Sequence, residues 1–176
     1  EELRSNLEKA DNHEGLAELF LWAADHAPWV LRGGAGSRIE MLHAAGEIYN
    51  EALDDPEAQD AVYRRVLDLN RNDTRALAHF RERLADDALA FYQILAPAAP
   101  AARSPEDRAR CQAELAALSQ DSIGDLDRAI FHWNQVLGTE DVPENYREQA
   151  FSALRNIYLA RDRRQELMDL VSAQVS

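Results

Sequence analysis

Hydrophobic residues along this chain recur three and four positions apart, the spacing that lines one face of an α-helix. Ile39, Leu42, Ala45, Ile48 and Tyr49 make one such stripe, and Ala150, Phe151, Leu154, Ile157 and Tyr158 make another. No segment shows the sustained alternation and β-branched enrichment of a strand. Helices are therefore predicted over about 2–10, 13–26, 37–53, 56–69, 73–85, 87–96, 104–119, 125–137, 143–160 and 163–175. Polar punctuation agrees with these limits. Asp55 before Pro56 and Ser104 before Pro105 place a capping side chain ahead of a proline at the first helical position, and Pro143 stands at a third helix start. Ser104 with Asp107 adds a capping-box-like pair. Pro28, Pro97 and Pro100 fall in connections, so no proline interrupts a stripe. Two connections are longer than the rest: residues 27–36, which hold Gly33, Gly34 and Gly36, and residues 97–103, reading Pro-Ala-Ala-Pro-Ala-Ala-Arg. The second is the expected hinge between residues 1–96 and 104–176, within one continuous array.

The helical pattern repeats. Arg38, Met41, Ala45, Ile48, Asp55, Tyr63, Val66 and Leu67 are matched 70 residues later by Arg108, Cys111, Leu115, Leu118, Asp125, Trp133, Val136 and Leu137. Leu77, Phe80 and Leu84 recur as Phe151, Leu154 and Tyr158 at a shift of 74, and Asp11, Leu16 and Leu19 as Asp162, Leu167 and Leu170 at a shift of 151. A long period built from helical spacings marks a stacked array in which each unit buries its apolar face against its neighbours. Two hairpins together form the repeating unit. Since both ends stop mid-pattern and Leu167, Leu170, Val171 and Val175 have no capping helix after them, the chain is expected either to be a segment of a longer array or to self-associate through the C-terminal helix.

Residues 46–73 carry enough detail to suggest a family. Gly46 and Tyr49 on one helix, then Asp-Asp-Pro-Glu-Ala, then Tyr63 and Val66 on the next resemble a tetratricopeptide repeat, with Arg71 standing where that pattern closes on a proline. Leu16, Phe20, Ala23 and Pro28 have the spacing of its second helix, as do Ala129, Trp133 and Val136, while Phe151, Leu154 and Tyr158 fit a first helix. The resemblance implies an all-α solenoid of about five antiparallel hairpins. It also implies that first helices line a concave groove. That would turn Glu40, His43, Glu47 and Asn50, together with Gln149, Ser152 and Asn156, toward a bound protein or peptide. Glu40 and Glu47 would repel a peptide carboxylate, so a basic or mixed-charge partner is expected.

Charge narrows the partners further. The 176 residues include 32 acidic and 19 basic side chains, a net charge of −13, which repels phosphate backbones and anionic lipid. Neither nucleic acid nor a membrane surface is expected as a partner. With 46% hydrophobic and 29% charged residues the chain is expected to fold. No apolar run reaches the length of a bilayer span, and residues 1–15 lack the basic and apolar regions of a signal peptide. Cys111 is the single cysteine, so neither a disulfide framework nor a thiolate zinc cluster is expected, in keeping with a reducing, cytoplasmic compartment.

No catalytic constellation stands out. His13, His26, His43, His79 and His132 show no metal-ligand spacing and are expected at the surface or at a rim. Gly33-Gly34-Ala35-Gly36-Ser37-Arg38 lacks the spacing and lysine of a P-loop, and it is expected to be a flexible connection with Ser37 as N-cap. Trp22, Trp29 and Trp133 are expected in core or hairpin packing, with Trp29 a candidate for exposure. The carboxylates read as solvated helix faces. The expectation is a non-catalytic interaction or scaffold module without metal or cofactor. The alternatives are a regulatory or sensor segment of a larger enzyme or signalling protein, and a small-ligand binder at residues 97–103.

Overall fold

A computed structural model of the chain describes Ser5 and residues 11–175, and the helix expected over 2–10 lies, Ser5 apart, outside them. The described residues are all-α, with no strand among them. They fall into two compact units, residues 1–82 and 83–176.

The first unit holds α1 (His13–His26), α2 (Pro28–Arg32), α3 (Gly34–Glu51), α4 (Pro56–Leu69) and α5 (Thr74–Arg83), which ends at the unit's limit. The expected open connection over 27–36 does not exist as such. Pro28 starts α2, Val30 is fully buried with Ala23 and Ala27, and Met41 of α3 packs against this cluster. Burial of Val30 thus overrides the weak helix propensity of the glycines, and α3 begins at Gly34. Ser37 is accordingly inside the first turn of α3 and makes no cap. It lies where a Cβ on residue 33 would stand, so only glycine fits there. In α4 the Asp55 side chain accepts from the Ala58 N–H at 3.0 Å, the N-cap expected from the sequence.

The second unit holds α6 (Ala88–Leu95), α7 (Ala98–Ala101), α8 (Pro105–Ala117), α9 (Leu126–Leu137), α10 (Glu144–Ala160) and α11 (Arg164–Val175). Residues 97–103 lie inside it and carry α7. Ala98, Ala99 and Ala102 are buried there because their side chains are small enough to be covered by the neighbouring helices. The Ser104 hydroxyl donates to Asp107 Oδ2 at 2.8 Å and accepts from the Asp107 N–H at 3.0 Å, so the capping pair forms. Beyond Ala117, α8 continues as a π-helical turn, Leu118–Ile123, which no sequence signal marked. Ala109, Trp133, Val136, Ala150, Leu154 and Tyr158 belong to the core joining α8, α9 and α10.

Each unit contains one hairpin of matching design. The buried residues of α4 are Gln59, Val62, Tyr63 and Val66, and those of α9 are Ala129, His132, Trp133 and Val136, each 70 residues further on. Asp54 and Gly124 are both left-handed, at φ 49° and 77°, and the next residue, Asp55 or Asp125, caps the second helix. In α5 and α10 the buried pairs Ala76/Ala150 and Phe80/Leu154 stand 74 apart.

Candidate functional site

In the first unit α3, α4 and α5 meet through a polar and aromatic cluster. His43 Nε2 lies 3.1 Å from Asp73 Oδ1, and His79 Nε2 lies 2.6 Å from Asp60 Oδ1. The Tyr63 ring is flanked by both imidazoles, its centroid 5.6 Å from His43 and 4.7 Å from His79. Glu47 of α3 is ion-paired with Arg75 of α5. Burial raises the Tyr63 hydroxyl above its ordinary pKa, while a hydrogen bond from the Gln59 side chain acts in the opposite sense. His43, expected in a groove, is only 6% exposed, whereas Glu40, Glu47 and Asn50 are exposed. The expectation of rim histidines thus fails for His43 and for the buried His132: tilted or edge-on ring contacts and polar partners on neighbouring helices accompany their burial, at Nε2 of His43 and at both ring nitrogens of His132. Glu47 also lines a cleft of about 290 Å³ that offers the apolar side chains of Leu16, Phe20 and Ile48 beside the carboxylate of Glu51.

The second unit carries two features of its own. His132 Nδ1 donates to Gln112 Oε1 at 2.7 Å, which leaves Nε2 to accept from the Tyr92 hydroxyl at 2.8 Å, and the Arg128 guanidinium stands 5.4 Å over the Tyr92 ring. Burial, aided by Arg128, holds the His132 imidazole below its ordinary pKa, so the neutral form these bonds require is the favoured one. The second feature is a cleft of about 330 Å³ lined by Gln120, Asp121, Trp133, Gln149, Ser152 and Asn156. It brings together the three groove residues expected on α10, namely Gln149, Ser152 and Asn156, all of them exposed. Ala117 and Ala153 add small apolar side chains. Trp133 Nε1 and Gln120 Oε1 are buried without a hydrogen-bond partner, each an arrangement that costs about 1–3 kcal/mol.

Comparisons with family models, with curated proteins and with solved structures found no match. Among the described residues no three His, Cys, Asp or Glu side chains gather so as to hold a metal ion, and no helix is long and apolar enough to cross a membrane. Trp133 is buried as expected of hairpin packing and Trp29, the candidate for exposure, is 61% exposed, but Trp22 is 55% exposed as well. Residues 27–36 and 97–103 both carry short helices, α2 and α7.

Sequence reasoning missed Gln120, because the π-helical turn that presents it has no compositional signature. It also missed the chain of Tyr92, His132 and Gln112, whose members lie 20 and 40 residues apart. A usable signal for the cleft was nevertheless present. The 70-residue shift sets Ala117 against Glu47, and the 74-residue shift sets Gln149 against Arg75, so the ion pair of the first unit has no counterpart in the second.

Proposed function

We propose that the chain is a non-catalytic protein-interaction or scaffold module, a tetratricopeptide-like α-solenoid that receives a protein or peptide segment of basic or mixed charge in a cytoplasmic setting. The observation that carries this reading is the coincidence of buried positions, caps and left-handed turn residues in α3–α4 and α8–α9 at one constant shift. Such repetition is what stacked hairpins need and what a single enclosed reaction centre does not. The exposed Glu40 of α3, the apolar cleft beside the Glu51 carboxylate, and the net charge of −13 support a basic partner.

The test uses two fluorescent peptides of equal length, one alternating arginine and leucine and one in which glutamate replaces arginine. Anisotropy is expected to report binding of the basic peptide only, weakened about tenfold by Glu40→Lys with Glu51→Lys and weakened again by salt. Equal binding of both peptides, or indifference to the charge reversal, would refute the reading.

A further inference from the structure

At the cleft beside Gln120 and Trp133 the two matching hairpins differ in chemistry. In the first unit Glu47 and Arg75 are ion-paired, and Tyr63 is hydrogen-bonded by Gln59. At the matching positions of the second unit stand Ala117, Gln149, Trp133 and Ala129. Ala117 cannot pair with Gln149, and Ala129 offers Trp133 nothing in place of the Gln59 amide. A cleft of about 330 Å³ stands there, lined by Trp133 and Gln120, and behind its surface lie one buried donor, Trp133 Nε1, and one buried acceptor, Gln120 Oε1, without partners. Trp133 is only 3% exposed. Two unpartnered polar groups in one small region are rare in a native interior unless something further pairs them. Gln120 is held by the π-helical turn Leu118–Ile123, which ends the helix ahead of the left-handed Gly124.

We propose that this cleft recognises an uncharged amide group, whose carbonyl accepts from Trp133 Nε1–H and whose N–H donates to Gln120 Oε1. An amide supplies both missing partners in one planar group. Gln149, Ser152 and Asn156 surround it with neutral donors and acceptors, and the Asp121 carboxylate disfavours an anionic occupant. Both recognising atoms are covered in the free protein, so binding requires the side chains of Trp133 and the half-buried Gln120 to yield. The site lies wholly within the second unit and needs no protein partner, which takes it beyond the interaction reading. The amide can come from a small molecule or from the main chain of a peptide.

The experiment follows the indole N–H resonances of the ¹⁵N-labelled protein, with that of Trp133 assigned from Trp133→Phe. The probes are N-acetylalanine methylamide, a blocked tri-alanine methylamide and N-acetylalanine with its free carboxylate. Saturable displacement of the Trp133 resonance by the blocked amides is expected, with the resonances of Trp22 and Trp29 unmoved. Gln120→Met should weaken the response about tenfold, the worth of one buried hydrogen bond. Asn156→Ala, at an exposed position, provides a second variant that should weaken it without touching the core. Saturation by the tripeptide at about a tenfold lower concentration than by the single blocked residue identifies a peptide main chain as the source, and equal saturation identifies a small amide. A Trp133 resonance that no amide moves, an undiminished response in both variants, or a stronger response to the carboxylate would overturn the proposal. None of these outcomes touches the basic-peptide test, which reads charge reversal at Glu40 and Glu51.

Discussion

His132 shows how much a single buried side chain ties to pH. Its two ring nitrogens are engaged by Gln112 and Tyr92 in the neutral form, and burial, then Arg128, holds its pKa below the ordinary histidine value. Above about pH 6.5 the imidazole is neutral folded or unfolded and contributes no pH dependence. As pH falls through that value the unfolded chain takes up the proton first, so stability declines until the lower folded pKa is reached. Urea unfolding between pH 7.5 and 5 is expected to show a smaller loss of stability for His132→Asn than for the wild type. Equal pH slopes would remove His132 from the account. The histidine was visible in the sequence, but its burial was not, since Gln112 and Tyr92 lie 20 and 40 residues away.

Among the elements, the contact of α3 with α4 turns on Gly46. A Cβ at that position would stand 3.3 Å from Tyr63 Cζ, closer than such contacts ordinarily come. The Tyr63 ring has little room to yield, being flanked by His43 and His79, which are themselves held by Asp73 and Asp60. Replacing an interior glycine by alanine gains about 1 kcal/mol of helix propensity, whereas overpacking costs about 1–3 kcal/mol. Gly46→Ala is therefore expected to lower stability by about 1 kcal/mol in denaturant unfolding, and a gain would show that the ring moves freely. The limits of α4, Pro56–Leu69, were legible to the residue, because cap, proline and apolar stripe all agree. The helix α2 and the π-helical turn were not, since Val30 owes its position to the Ala23 and Ala27 that pack around it and the turn has no compositional signature.

For the whole molecule, the repetition has a consequence for cooperativity. If each hairpin relies on its neighbours alone, damage stays near its source. Leu154 is fully buried in the core that joins α8, α9 and α10. Leu154→Ala should cost about 2–5 kcal/mol. Native-state hydrogen exchange is expected to accelerate in α8 to α11, while amides of α3 and α4 keep their protection. Uniform loss of protection along the chain would instead describe one indivisible core and count against the array.

What the sequence determined by itself is what short-range forces decide. Apolar stripes at helical spacing, aspartate and serine caps and a self-match at 70 residues suffice for an all-α chain with two hairpins of one design, because each signal lies within a few turns of the residues it governs. What only the tertiary structure decided is which polar groups find partners. His43 Nε2 meets Asp73 across 30 residues, while His43 Nδ1, Trp133 Nε1 and Gln120 Oε1 are buried with none. Burial and hydrogen-bond satisfaction belong to the neighbours that packing supplies, and the spacing of residues along a chain does not specify them.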